Sequence, residues 1–161
     1  MVKNYFNKKM KKIYNSKWFP RIFSVRSDGG KDSGVTAYFL IEWKPVISIG
    51  LLHFKPGTRE AYHSHAFNAL TWWLKGKVTE ARLSKTNIAF RNEPSIEKTP
   101  DTLKDYYPSF KPKFTSRDNF HKVIADENTW ALTIRGPWEN TWFEFKENKF
   151  IELTHGRKEI L

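Results

Sequence analysis

The residues best suited to chemistry lie close together, in Gly57-Thr-Arg-Glu-Ala-Tyr-His63-Ser-His65. Two histidines at i and i+2 on a strand project from the same face. If that face is the inside of a small barrel, the two imidazoles converge in a dry cavity. Neutral imidazole is a ligand for iron, zinc, copper and nickel. His121, in Phe120-His-Lys-Val123, is the candidate third ligand, which leaves coordination positions for water or substrate. The same pair also reads as two surface or core histidines satisfied by hydrogen bonds, and the spacing alone does not choose. Cysteine is absent, which removes disulfides, thiolate metal sites and thiol nucleophiles together. Any metal must then be held by the five histidines (His53, His63, His65, His121 and His155), by carboxylates or by water.

Other side chains each carry two readings. Glu80 follows the Gly76 turn; pointing inward it is a general base or a fourth ligand, pointing outward an ordinary strand carboxylate. Arg135, just before Gly136-Pro137, can clamp a carboxylate or phosphate or serve a structural salt bridge. Trp73, Trp130 and Trp142 offer faces for stacking a ring, although aromatic strand residues are commonly core. His53 reads as a partner that orients a metal-bound histidine or as a buried core histidine, and His155 as exposed. No Gly-rich phosphate loop, Gly-x-Ser-x-Gly or His-Glu-x-x-His competes with the histidine pair.

Short strands must position these residues. Period-two alternation or short apolar runs bounded by turn residues mark 22–25, 36–43, 47–54, 69–74, 78–83, 121–124, 130–135 and 141–145. Residues 27–34 form a turn cluster. The runs 69–74 and 78–83, joined through Lys75-Gly76-Lys77, read as a hairpin. Pro94, Pro100, Pro108 and Pro112 crowd one stretch, so 92–113 reads as a long excursion out of the sheet, either a ligand-contacting loop or a solvated insertion. Many short strands with little helix predict an all-β sandwich or barrel.

The chain has 161 residues, 39% apolar and 16% aromatic, which bounds it to one domain and excludes a disordered chain. Every apolar run is too short to span a bilayer, and no secretory signal is visible. The net charge is +11. Met1 to Ser27 holds eight basic residues and no acid; the remainder sets 20 basic against 17 acidic. We therefore read residues 1–20 as a basic arm and 21–161 as the domain. Phe6, Met10, Ile13 and Tyr14 fit one face of a short amphipathic helix in that arm. The arm suits nucleic-acid phosphates or is a solvated leader.

Gly57, His63-Ser-His65 and Gly76, with His121 further on, resemble the two motifs of the cupins. More narrowly, Leu52-His-Phe54, Trp73-Leu-Lys-Gly76, Glu80, Phe120-His-Lys-Val123, Thr129-Trp-Ala-Leu132, Arg135-Gly-Pro137 and Trp142-Phe143 resemble small cupin-like proteins of tailed bacteriophages and prophages. The likeness runs from Ile47 to Phe145. It implies a cupin-type double-stranded β-helix, a jelly-roll barrel often found as a homodimer. It also implies a divalent metal (Fe foremost, or Mn, Ni or Zn) held by His63, His65 and His121. The glutamate that cupins add to their first motif falls here on Ala69 or Leu70, which leaves a three-histidine set as in some cupin dioxygenases. In the second motif the expected proline, glycine and asparagine fall on Ser116, Asp118 and Ala125.

Two functions follow as expectations. One is a metal-dependent enzyme, dioxygenase- or isomerase-like, acting on a small anionic substrate with help from Glu80 or Arg135. The other is a non-catalytic barrel that sequesters a nucleotide or signalling ligand to counter host defence. A virion or assembly role is a third. The expected location is the cytoplasm, that of the host if the protein is phage-encoded.

Overall fold

Buried and exposed residues alternate along the central strands. In Thr129–Arg135 the odd positions Thr129, Ala131, Thr133 and Arg135 are buried, and the even ones are partly exposed. The computed structural model describes residues 19–29, 33–57, 61–83, 102–146, 149–154 and 159–160. They form β1 (Arg21–Ser27), β2 (Val35–Trp43), β3 (Ile47–Phe54), β4 (Tyr62–His63), β5 (Ala69–Lys75), β6 (Val78–Leu83) and β7 (Thr102–Tyr106). β8 (Lys113–Thr115), β9 (Phe120–Ala125), β10 (Thr129–Arg135), β11 (Thr141–Lys146), β12 (Lys149–Thr154) and β13 (Glu159–Ile160) follow. All pairings are antiparallel, in two sheets ordered β1-β2-β3-β10-β5-β8 and β13-β12-β11-β4-β9-β6-β7. One core cluster joins them, with Val35, Ala37, Leu52, Trp73 and Ala131 from the first and Val78 and Ala125 from the second. Among the described residues no helix is long and apolar enough to cross a membrane.

Three local expectations change. First, the run 69–83 is not a hairpin. β5 pairs with β10 and β8, and β6 with β9 and β7. Lys75-Gly76-Lys77 instead carries the chain from one sheet to the other. Two alternating runs around a glycine look alike whether they pair with each other or part, because distant strands make that choice. Gly76 has φ 81°, and a Cβ there would lie 2.3 Å from Thr129 Oγ1 and 3.0 Å from Thr129 Cα. Gly76→Ala is therefore expected to cost about 2 kcal/mol or more, read as a fall in the urea midpoint; an unchanged midpoint would show that this corner is not constrained.

Second, the excursion expected over 92–113 is partly sheet. β7 pairs with β6, and Lys113 begins β8, which pairs with β5. Edge strands tolerate nearby proline because half of their backbone groups need no partner. Third, the C-terminal stretch outside the family likeness adds β12 and β13 to the second sheet. Residues 1–18 of the basic arm, with the expected helix, Pro94, Pro100 and His155 lie outside the described residues.

The interior is polar at one end. Across the first sheet, Glu42, Ser48, Arg135, Ala69 and Thr115 stand in one cross-strand row. The next row is Phe39, Gly50, Thr133, Thr71 and Lys113, and the one after is Ala37, Leu52, Ala131 and Trp73. Burying hydroxyls and charges costs free energy unless they are paired, and an apolar lining would hold the sheets together more simply. The polar end is where the site lies.

Candidate metal centre

β4 lies between β11 and β9 and places His63 directly opposite Glu144 on one side and His121 on the other. Arg82 stands beyond His121. Directly opposed residues share a face of the sheet, so Glu144, His63, His121 and Arg82 form one row. His65 lies just past the end of β4, but its segment is pinned on both sides. Ser64 N donates to Phe143 O at 2.9 Å, Phe143 N donates to Ser64 Oγ at 2.9 Å, and His65 N donates to Arg117 O at 3.1 Å. The His-x-His segment is thereby locked to β11 and to the turn before β9.

The three rings converge, with centroids 4.9 Å apart for His63 and His65, 5.1 Å for His63 and His121, and 5.0 Å for His65 and His121. One ring nitrogen from each lies within 4.8 Å of the others. Hydrogen bonds select which nitrogen. His63 Nδ1 is 3.2 Å from Ala61 O, so it carries the proton, and Nε2 is the unprotonated nitrogen. His121 Nδ1 faces a Glu80 carboxylate oxygen, with the same consequence. His65 Nε2 and His121 Nε2 are 2.8 Å apart. Two lone pairs at that distance repel unless a proton or a cation lies between them. Imidazoles backed by a carbonyl or carboxylate on the far nitrogen are arranged as metal-bound histidines are, so the residues fit a divalent ion. Burial lowers the pKa of His121, opposed by its hydrogen bond to Glu80, and favours the neutral ring a metal requires.

Glu80 points inward, 1% exposed. It stands behind His121 rather than among the three imidazoles, so it does not reach the cluster as a fourth ligand in this arrangement. Its oxygens are also taken. Lys113 Nζ donates to Oε1 at 2.5 Å, and Arg82 Nε and Tyr106 Oη donate to Oε2 at 2.9 and 3.1 Å. Burial alone would raise its pKa, but the hydrogen bond with His121 and the charge of Lys113 outweigh this and hold the carboxyl well below the usual carboxylate range. That is a poor state for a general base. Burial, reinforced by Glu80, pushes the Tyr106 phenol up to about 12.

The histidines open on a cavity of about 90 Å³ whose wall includes Arg135, Asp28, Lys113, Thr71, Thr133 and Trp73. Arg135 donates to Asp28 at 2.6 and 3.3 Å and lies over the rings of Phe67 and Phe39. It makes the salt bridge expected as one of its two readings, and it also stands in the cavity wall. Trp73 lines the cavity, but the other ring candidates do not. His53 and Trp130 are opposed across β3 and β10 and stack with centroids 4.6 Å apart, at alternating positions whose neighbours face the core. His53 also meets Asn128 at 3.2 Å. Trp142 packs against the cluster of Ala66, Phe67 and Ala69 beside Trp138. His53, Trp130 and Trp142 are thus not brought to the cavity; strand alternation sends the first two to the outer face.

The sequence reading missed Lys113, Asp28, Tyr106, Glu144 and the threonines. Lys113 sat in the stretch read as an excursion and Asp28 in a turn cluster. No local signal marks either, since both reach the site through strand pairing and chain return.

The architecture and the histidine cluster together define the class: this is the cupin fold, a double-stranded β-helix. Among solved structures, the chain is similar to ectoine synthase from P. lautus, at 9% identity over 79% of this chain and 74% of that one, with a TM-score of 0.50. It is also similar to an RmlC-like cupin from Shewanella frigidimarina (10% identity, 71% and 84% covered, TM-score 0.48). A conserved double-stranded β-helix protein from Klebsiella pneumoniae gives 14% identity, 76% and 94% covered, and a TM-score of 0.49. Identities this low speak to the fold alone. No protein-family model and no curated protein matches the sequence.

Proposed function

We propose that this protein is a metal-dependent cupin enzyme acting on a small anionic substrate, with His63, His65 and His121 holding the ion. The observation that carries the reading is the convergence of three imidazoles on a cavity of about 90 Å³ with cations in its wall. Fe(II) suits three neutral nitrogens with open positions, and Mn, Ni and Zn are alternatives. A bound divalent ion would supply Lewis acidity or, if redox-active, oxygen activation.

The chain's own groups set what can enter. On the wall Arg135 is paired with Asp28, and Lys113 with Glu80 behind it. The Glu80 charge is spent on His121, Lys113 and Arg82, and a neutral three-histidine set does not offset the charge of an ion. The site therefore favours an anion. Arg135 Nε and Trp73 Nε1 are buried without an acceptor, which costs free energy that a ligand oxygen can recover. Glu80 acts in this reading as a positioning residue that fixes the His121 ring, not as the base. If the chain is phage-encoded, as the resemblance implies, its workplace is the host cytoplasm.

The alternative, capture of a nucleotide or signalling ligand against host defence, is less favoured. Ligand pockets for such molecules run to about 300 Å³ and above, and three of the four ring candidates face elsewhere. A phosphate-binding role for the basic arm stands apart from this site.

Calorimetric titration of the metal-loaded protein with short mono- and dicarboxylates and with nucleotides tests the choice. Carboxylates are expected to bind, and the paired Asp28→Asn/Arg135→Gln variant, which leaves no charge alone, to bind them at least about tenfold more weakly, ~1.4 kcal/mol. Binding of nucleotides with no response to any small acid would overturn the reading in favour of capture.

A further inference from the structure

The cavity beside the three histidines is not polar throughout. Its wall crosses four successive inward rows of the first sheet. Arg135 stands in the first row, and Thr133 and Thr71 in the second. Leu52 and Trp73 stand in the third row, Val35 and Phe54 in the fourth. The second sheet runs the same way. Along β9, His121 is followed on the same face by Val123 and then Ala125. The apolar ends of the two walls meet in one core cluster, where Ala125 joins Val35, Leu52, Phe54 and Trp73. The site is therefore a polar collar over an apolar floor.

Two N–H groups of this wall are buried without an acceptor in the protein, Arg135 Nε in the collar and Trp73 Nε1 on the floor. Arg135 is 3% exposed and Trp73 5%. The two ends make different demands on a ligand. The Arg135 guanidinium is held by Asp28 through Nη1 and Nη2, and its Nε suits a carboxylate oxygen. The other wall cation, Lys113, is turned to Glu80 and does not serve the floor. A second carboxylate placed there would lie against Leu52, Phe54 and Val35 with one neutral N–H for a partner. Burying a charge so poorly paired costs more than one hydrogen bond returns. A neutral oxygen suits the indole N–H, and carbon suits what surrounds it.

We propose that the site selects a short monocarboxylic acid whose apolar body carries one neutral oxygen away from the carboxylate. Such an oxo or hydroxy acid places its carboxylate in the collar at Arg135 and its oxygen on Trp73 Nε1. Leu52, Phe54, Val35 and Val123 then determine specificity by enclosing the body between them. The proposal rests on the small-anion function above and narrows it, because dicarboxylates are rejected and the shortest acids are bound poorly.

Calorimetric titration of the zinc-loaded full chain with acetate, valerate, levulinate and glutarate tests it. The last three have chains of equal length. Valerate ends in plain hydrocarbon, levulinate carries a ketone near its end, and glutarate ends in a second carboxylate. Valerate is expected to bind at least about tenfold more tightly than acetate, because its methylenes are buried on the floor. Levulinate is expected to bind about fivefold more tightly than valerate, and glutarate at least about tenfold more weakly than valerate. Trp73→Phe keeps an aromatic wall and removes the N–H. It is expected to abolish the advantage of levulinate while binding valerate as the wild type does. Valerate no tighter than acetate, or glutarate as tight as valerate, would overturn the proposal and leave the small-anion function standing. A preference for levulinate that survives in Trp73→Phe would also overturn it, since the oxygen would then be bound elsewhere. Binding of none of the four acids would overturn both.

Discussion

Replacing His63 and His121 together by alanine is expected to take the bound metal from about one ion per chain to none. Elemental analysis of untagged protein purified without chelator reads this directly. The two rings are opposed across β4 and β9, and in each the Nδ1 contact, His63 to Ala61 O and His121 to Glu80, makes Nε2 the unprotonated nitrogen. Removing both leaves His65 alone, and one imidazole does not hold a divalent ion through purification. Each single replacement should weaken binding about a hundredfold or more, since a protein-held zinc ion is worth on the order of 10–16 kcal/mol shared among its ligands. His53→Ala serves as the control. It removes a histidine from the outer face, stacked on Trp130, and should leave the metal content unchanged. Full metal occupancy in the double variant would sink the site assignment. Loss of metal in His53→Ala would show that the outer face matters to the site.

The second large effect is expected at Glu80. Its carboxylate is the common partner of His121, Lys113, Arg82 and Tyr106, and the Lys113 side chain is only 9% exposed. Glu80→Gln keeps the shape but strands a buried ammonium, and breaking such a buried pair costs about 3–5 kcal/mol. Urea unfolding of the chelator-treated protein at neutral pH measures this free of any metal contribution. The pH dependence gives a second readout. The folded-state pKa of Glu80 is lowered, so its contribution is fully present above the ordinary glutamate value of about 4.3. It is lost as pH falls through that value towards the folded one, because the unfolded chain takes up the proton first. The gap between wild type and variant should therefore be widest near neutrality and narrow in acid. Metal affinity of Glu80→Gln should fall about 10–100-fold, because His121 loses the partner that orients it. A variant of unchanged stability and affinity would mean that the network is incidental.

Much of this architecture is readable in the sequence. The expected runs 36–43 and 47–54 correspond closely to β2 and β3, and the runs around 121–124 and 130–135 to β9 and β10. In each, alternation or a short apolar run between turn residues leaves few other ways to bury the side chains. The convergence of His63, His65 and His121 was also expected, His121 being the candidate third member because Phe120-His-Lys-Val opens a later strand, with the family resemblance pointing to the same residue. The hairpin at 69–83 was misread because a glycine turn between two strands says where the chain bends and not which strand it then joins. The placements of His53 and Trp130 were misread for a more general reason.

Period-two alternation separates the two faces of a strand, but it does not say which face points inward. The usual guide is that the more apolar face is the buried one, and here that guide fails. On β10 the inward set is Thr129, Ala131, Thr133 and Arg135, while the outward set is Trp130, Leu132 and Ile134. On β5, Leu70, Trp72 and Leu74 face out and Ala69, Thr71 and Trp73 line the interior. The barrel keeps polar groups inside, around the histidine cluster, and apolar ones outside, so hydrophobicity points the wrong way on these strands. The sequence by itself determined the strand-rich class, the histidine pair that shares one face and the absence of any thiol chemistry. Only the tertiary structure decided that His121 meets that pair, that Lys113 and Asp28 reach the same cavity, and that Glu80 is held by four partners. Those contacts join strands far apart along the chain, and their register is set by the pairing of whole sheets, which no local pattern of residues encodes.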